Sequence, residues 1–243
     1  MATIVTAFMT NINNIPYRLP TKYIELGKKL LNQPIPTVCF LEKEIYDTYF
    51  LDSLASYPYT EFVMFERTEN YLMEYEDLLT NFYVNTDNKN KDTPRYMFTQ
   101  CHKTEWVKMA IERNPFETDN FIWVDFGIYH MIQNEMGFAV HLDKMCKKNY
   151  NTIRIPSCIH PNEECNNDIF HFIAWFFAGS LFGGSSKKLL EFSTIMKDFC
   201  LNLIKKKKHL MWEINIWYLL HKQHPTLFEP YMANHDISIL ANY

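Results

Sequence analysis

With 243 residues, 47% of them hydrophobic and 21% charged, the chain has the composition of a globular protein and not of a disordered, collagenous or membrane-embedded one. A chain this long buries roughly 70–75% of its unfolded surface, so a core forms without disulfide or metal staples. Lys and Arg total 24 against 28 Asp and Glu, a net charge of −4, which gives no electrostatic reason to expect nucleic acid as a partner.

Ala2–Met9 (ATIVTAFM) reads as the first strand, because it is apolar and lacks the basic stretch and cleavage site of a secretion signal. Ile35–Leu41 and Glu61–Phe65 are the next strands, separated by segments whose apolar residues (Tyr23, Leu26, Leu30, then Ile45, Tyr49, Leu54) follow helical spacing. Long crossovers of this kind make parallel strands, so the fold class expected is α/β with a mostly parallel central sheet flanked by helices. Asn85–Pro94 (NTDNKNKDTP) is polar and turn-rich and reads as an exposed loop before a helix from Arg95 to Glu112. Phe121–Val124 is a short, wholly apolar strand ending at Asp125. Ile155–Asp168, with Pro156 and Pro161, reads as a loop of the kind that carries function. The last third reads as an aromatic strand (Ile169–Phe177), a glycine-rich turn, a helix over Ser185–Lys205 and a second helix over Leu210–His221, stopped by Pro225.

No linker composition separates domains, so residues 1–127 and 128–243 are read as two halves of one unit. The longest apolar stretch, Ile169–Phe182, is interrupted by His171 and too short to span a bilayer. Cys39, Cys101, Cys146, Cys158, Cys165 and Cys200 include no CxxC pair or zinc-knuckle spacing, which suits a reduced, cytoplasmic setting. An aromatic share of 16% suits a carbohydrate or nucleoside surface and equally a rigid core. The Lys205–Lys208 run complements a helix C-terminus and reads as a solvated face.

Four constellations bear chemistry. In WVDFG, Trp123 to Gly127, a hydrophobic strand ends in a carboxylate at the sheet edge where open α/β folds bind ligands, and Asp125 there suits a hard divalent cation on phosphate oxygens. Asp125 is also a good cap for a following helix. A protein-kinase reading of DFG fails, since no catalytic loop precedes it and no GxGxxG or APE sequence exists. In FAGSLFGGS, Phe177 to Ser185, Gly179, Gly183 and Gly184 cluster in a chain with six glycines, so something approaches the backbone closely there, be it ligand or chain. Glu213 is the single acid of the Leu210–His221 helix, either placed for function or exposed. His235, in a closing NHD, is a credible metal or phosphate ligand, although a lone terminal His is more often without a role. Lys103 and Lys187 would neutralise phosphates as point charges.

Taken in order, IVTAFM, NPF followed by FIWVDFG (Asn114 to Gly127), the FAGSLFGG segment and NHD resemble the HtrL/WlaTC-type glycosyltransferases of bacteria and giant viruses, which are GT-A-like, over nearly the whole chain. The resemblance implies a UDP-sugar donor, with Thr6, Ala7 and Phe8 lining the nucleoside pocket and Phe8 packing on uracil. It implies Mn²⁺ (or Mg²⁺) held by Asp125 as the first Asp of a DXD motif. Gly127 stands where the second Asp falls, and His235 would complete the metal site. Gly183 and Gly184 would approach the donor sugar, and Glu213 would match the acid of the xED motif. The acceptor implied is a hydroxyl of a glycan or glycosylated protein, with galactosyl-hydroxylysine of a collagen-like chain as the specific case and glucose as the hexose. Inverting and retaining chemistry both remain open, as does the oligomeric state, with which a homodimer is compatible. A sugar nucleotidyltransferase and a non-catalytic carbohydrate-binding relative are the alternatives, the first weakened by the absence of a glycine-rich N-terminal loop.

Overall fold

The computed structural model describes residues 1–10, 12, 15, 19–131, 135–164 and 168–243, and of residues 135 and 136 the backbone alone. Part of the Ile155–Asp168 loop, residues 165–167, therefore lies outside the described residues.

The apolar N-terminal run forms β1 (Thr3–Phe8), which pairs in parallel with β2 (Thr37–Leu41) on one side and β4 (Asn120–Val124) on the other, and β3 (Thr60–Met64) adds to β2. The chain then continues through β5 (Ile153–Ser157), β6 (Leu181–Ser185) and β7 (Phe228–Met232), giving one seven-stranded sheet in the order β3-β2-β1-β4-β6-β5-β7. β6 alone runs opposite to the rest, antiparallel to both β4 and β5. Helices α1 (Pro20–Leu31), α2 (Lys43–Tyr49), α3 (Pro94–Cys101), α4 (Lys103–Arg113), α5 (Glu135–Cys146), α6 (Ser186–Lys207), α7 (Glu213–Gln223) and α8 (Ser238–Ala241) flank it. The fold is thus the mixed α/β domain expected, with a mostly parallel sheet. No helix among the described residues is long and apolar enough to cross a membrane.

Strand residues alternate between faces, as a pleat requires. Val5, Val38, Phe121 and Trp123 join a core with Trp106 of α4, Phe192 of α6 and Trp217 of α7, while Ile4, Ile122 and Val124 pack with Leu30 of α1 and with Phe138 and Leu142 of α5. Both faces are apolar because both are covered, the usual condition of parallel strands.

Several expectations are corrected. Arg95–Glu112 is two helices, α3 and α4, meeting at His102. Ile155–Ser157 belongs to β5 rather than to a loop. Leu210–Trp212 precedes α7, which starts at Glu213. Ile169–Phe177 is not a strand: among the described residues its one sheet contact is at its end, where Phe177 makes a single antiparallel bridge to Ser157 of β5. Its backbone is satisfied instead by buried Asn215, whose amide donates to Ile169 O and Phe172 O (both 2.7 Å) and accepts from Ala174 N (2.8 Å). The glycine-rich "turn" is mostly strand β6. A Cβ on Gly184 would lie 2.1 Å from Thr152 O, and one on Gly183 2.4 Å from the Tyr243 hydroxyl, so these glycines serve close chain packing.

The strand order reverses direction between β1 and β4: the chain builds outward from β1 to β3, then crosses back to the other side of β1. At such a point the crossover connections diverge and leave a crevice beyond the carboxyl ends of the strands, where α/β sheets bind ligands. Six strands end at this edge, and β6, reversed, begins there.

Candidate functional site

A cavity of about 440 Å³ opens at that crevice, lined by Ala7 and Phe8 at the end of β1, Asp125 to Gly127 after β4, Gly179 and Ser180 before β6, Glu213 at the start of α7, and His235 after β7. Each comes from a segment that the sheet direction delivers to the same edge. Lys103 arrives because α4 runs back along the sheet and so begins at the carboxyl side.

Lys103 is the centre of the floor. Its ammonium donates to Gly179 O (2.8 Å) and lies 3.1 Å from both Asp125 Oδ1 and Glu213 Oε1. Burial by itself would lower its pKa, but the two carboxylates outweigh that and hold it above the ordinary lysine value. A lysine has three N–H donors, and all three have acceptors here. Asp125 Oδ1 also accepts from Trp123 Nε1 at 2.8 Å, so that indole orients the carboxylate from within the core instead of stacking on a ligand. Gly179 makes room for the arrangement: a Cβ there would lie 2.4 Å from Glu213 Oε1.

One wall is aromatic. Phe8 stacks on Phe126 (centroids 5.1 Å apart) and on Tyr23 of α1 (6.3 Å). Tyr23 also fills the space beside Gly127, where an added Cβ would meet its Cδ1 at 2.7 Å. Position 127 therefore cannot carry an aspartate unless Tyr23 moves. On another wall Trp175, 48% exposed, presents its indole edge-to-face with His235 at 4.9 Å. His235 Nε2 lies 3.7 Å from Cys158 Sγ; burial lowers its pKa against the opposing pull of Asp236.

The sequence-derived residues divide accordingly. Ala7, Phe8, Lys103, Asp125, Glu213 and His235 share the cavity. Thr6 is wholly buried and does not line the cavity. Gly183, Gly184 and Lys187 lie away from it, because antiparallel β6 carries them to the opposite edge: Ser185 pairs with Asn120, the first residue of β4. Trp217 is core and Trp212 is buried with its indole N–H on Asp92 Oδ1 (3.2 Å). The residues missed are Tyr23, which reads as an ordinary core position of α1, Lys91, which reads as part of a solvated loop, and Gln100, which carries no local signal.

A divalent cation has a partial fit. Among the described residues no three His, Cys, Asp or Glu side chains converge to hold a metal on their own. Asp125 lines the cavity with its side chain 33% exposed, and a hard cation needs only one or two carboxylates when phosphate oxygens and water complete its shell. The site thus suits a cation shared with a phosphate ligand, not an all-protein cage.

No family model matches the chain, and no curated protein matches it. Among solved structures it is similar to the apo form of mouse xyloside xylosyltransferase 1 (11% identity, 95% of this chain and 84% of that one, TM-score 0.48). It is also similar to 4-diphosphocytidyl-2C-methyl-D-erythritol synthase from Anaerococcus prevotii (10% identity, 100% of this chain and 94% of that one, TM-score 0.46).

Proposed function

We propose that the chain is a GT-A-like glycosyltransferase of the HtrL/WlaTC type that moves a hexose, glucose in our reading, from a UDP-sugar to a hydroxyl of a glycan or glycosylated protein, such as galactosyl-hydroxylysine of a collagen-like chain. The observation that carries this reading is the convergence of Asp125 and Glu213 on Lys103 beside the Phe8–Tyr23–Phe126 wall, in one cavity at the switch point of the sheet.

The aromatic wall suits a nucleobase, which stacks on ring faces. Transfer breaks the bond from the sugar's anomeric carbon to the diphosphate, and negative charge grows on the departing oxygen. Mn²⁺ or Mg²⁺, held by Asp125 with His235 on the same cavity, would supply positive charge to that oxygen. The other side chains hold and orient. Lys103 fixes both carboxylates in place; Glu213, which lines the cavity, takes the acceptor hydroxyl's proton in an inverting displacement. In a retaining reaction the leaving phosphate takes that proton and Glu213 contacts the sugar instead. Trp123, Trp212 and Trp217 are buried, whereas Trp175 is both exposed and on the cavity, and it suits the apolar face of an acceptor sugar.

The test is release of UDP from a panel of UDP-hexoses with Mn²⁺, with and without glycosylated collagen peptide. Acceptor-dependent release with UDP-glucose is expected. Absence of both turnover and nucleotide-sugar binding across the panel overturns the reading.

A further inference from the structure

The diphosphate that this reading puts in the cavity needs a cationic side chain, and the lysine that looks made for it is already engaged. Lys103 has an acceptor for each of its three donors, and with Asp125 and Glu213 it forms a cluster of net charge −1. It cannot turn to a phosphate without stranding Glu213, whose side chain is 7% exposed. Lys187 is at the far edge of the sheet.

One other lysine lines the cavity among the described residues: Lys91. It sits in the polar segment that precedes α3, and that segment is fastened into the site. Asp92, 5% exposed, accepts from Thr86 Oγ1 at 2.6 Å and from the indole N–H of Trp212, the residue before Glu213. The Thr93 hydroxyl donates to Ile12 O at 2.8 Å. Lys91 Nζ is 3.3 Å from Asp92 Oδ1 and 5.3 Å from the centre of the Tyr96 ring, with its side chain 18% exposed. The ammonium thus pairs with Asp92 and lies over a ring that also lines the cavity, and unlike Lys103 it has one carboxylate partner rather than two and a carbonyl. An ammonium held on a desolvated carboxylate and an aromatic face is fixed before a ligand arrives, so little rotamer entropy is lost on contact.

We propose that Lys91, and not Lys103, is the protein's cationic contact to the phosphates of the nucleoside diphosphate, and that Lys103 is a positioning residue for Asp125 and Glu213. The assignment rests on the nucleotide-sugar reading above, and the experiment separates the two. UDP, uridine and inorganic pyrophosphate are titrated calorimetrically, with Mn²⁺ present, into the wild-type chain and into Lys91→Met, Lys91→Arg and Lys103→Met. The expected result is that Lys91→Met weakens UDP by about ten- to a hundredfold, the range of one charge-assisted hydrogen bond, while uridine changes less than about twofold, and that Lys91→Arg recovers much of the loss. Thermal unfolding of Lys91→Met checks that the fold persists; if it does not, the Arg variant compared with wild type at rising salt carries the test, and salt-independent UDP affinity in both overturns the proposal. UDP binding unchanged in Lys91→Met but weakened relative to uridine in Lys103→Met also overturns it. If the wild type binds neither UDP nor uridine, the nucleotide reading fails; pyrophosphate binding that depends on Lys91 then still upholds the anion contact, and pyrophosphate binding that ignores Lys91, or none, removes it.

Discussion

Replacing Lys103 by Met keeps the length of the side chain and removes its charge, which isolates what the ammonium contributes to the fold. Two carboxylates lose their partner, but unequally. Asp125, one-third exposed, turns to water, whereas Glu213, 7% exposed, is left inside the protein. Breaking a buried ion pair by removing one member costs about 3–5 kcal/mol, and for a domain of this size each kcal/mol lowers Tm by about 2–4 °C, so a fall of roughly 6–20 °C is expected. Glu213→Gln by itself should cost far less, because the amide oxygen still accepts from Lys103 and Lys103 keeps Asp125. The double variant removes the stranded charge and should regain most of the loss, with a coupling of at least about 2 kcal/mol. Urea unfolding followed by circular dichroism supplies all three values. The pH dependence has a definite sign: the folded pKa of Lys103 is raised above 10.5, so its contribution is complete below that value and disappears only as pH climbs past it. The gap between wild type and Lys103→Met should therefore be flat from pH 6 to 9 as far as Lys103 is concerned. A single variant costing under about 1 kcal/mol, with additive effects within about 0.5 kcal/mol, would refute the buried triad.

Asp125→Asn keeps an acceptor for the Trp123 indole and removes the charge, so turnover should fall at least about a hundredfold with little change in unfolding; a silent variant would mark Asp125 as structural only. Gly179→Ala brings a methyl within 2.4 Å of Glu213 Oε1 and should cost about 1–3 kcal/mol and most of the activity, and unaltered kinetics would show that Glu213 is free to move. His102, fully buried, has its pKa lowered to about 3 by burial and, less, by the charge of Lys197. The unfolded chain takes up its proton near pH 6.5 and the folded chain does not, so stability is complete above that pH and falls below it, by about 2 kcal/mol between pH 7 and 5. His102→Leu should remove that share of the acid sensitivity, read as a smaller difference between urea midpoints at the two pH values. Trp175→Ala should raise the acceptor KM and leave donor affinity unchanged; a change in donor affinity instead would move the indole to the nucleotide side.

Parts of the site could be read locally and parts could not. β1, β2 and β4 are short, almost wholly apolar runs, and such runs mark parallel strands buried on both faces, so the ends at Phe8 and Asp125 were placed correctly. Asp125, Glu213 and Lys103 are each legible as residue types, Lys103 as a phosphate charge, but that Lys103 instead joins the two carboxylates is not, because a lysine's partners at the start of an amphipathic helix are fixed only once the sheet is assembled. Lys91 was hidden by its neighbours: NTDNKNKDTP has the composition of a solvated loop, and only the Asp92 bonds to Thr86 and Trp212 show that it is docked. The aromatic run at Ile169–Phe177 has the composition of a strand, and what prevents one is a buried amide, Asn215, that comes much later in the chain.

The largest misplacement, that of Gly183, Gly184 and Lys187, has one cause. Glycines mark a ligand-facing turn and a crowded strand with the same letters, and the choice depends on what lies opposite, here Thr152 O and the Tyr243 hydroxyl. Had β6 run parallel to its neighbours, its final residues and the first turn of α6 would have emerged at the crevice beside Asp125, and Lys187 would have joined the site. Because β6 runs the other way, its beginning is at the crevice. Asp125 N donates to Ser180 O at 2.9 Å, and Lys103 finds Gly179 O, so the useful glycine of the cluster is the first one and not the pair. Strand direction is set by the connections before and after a segment and by the pairing they permit, not by the segment's own residues, and that one bit of topology decides which half of FAGSLFGGS meets the ligand.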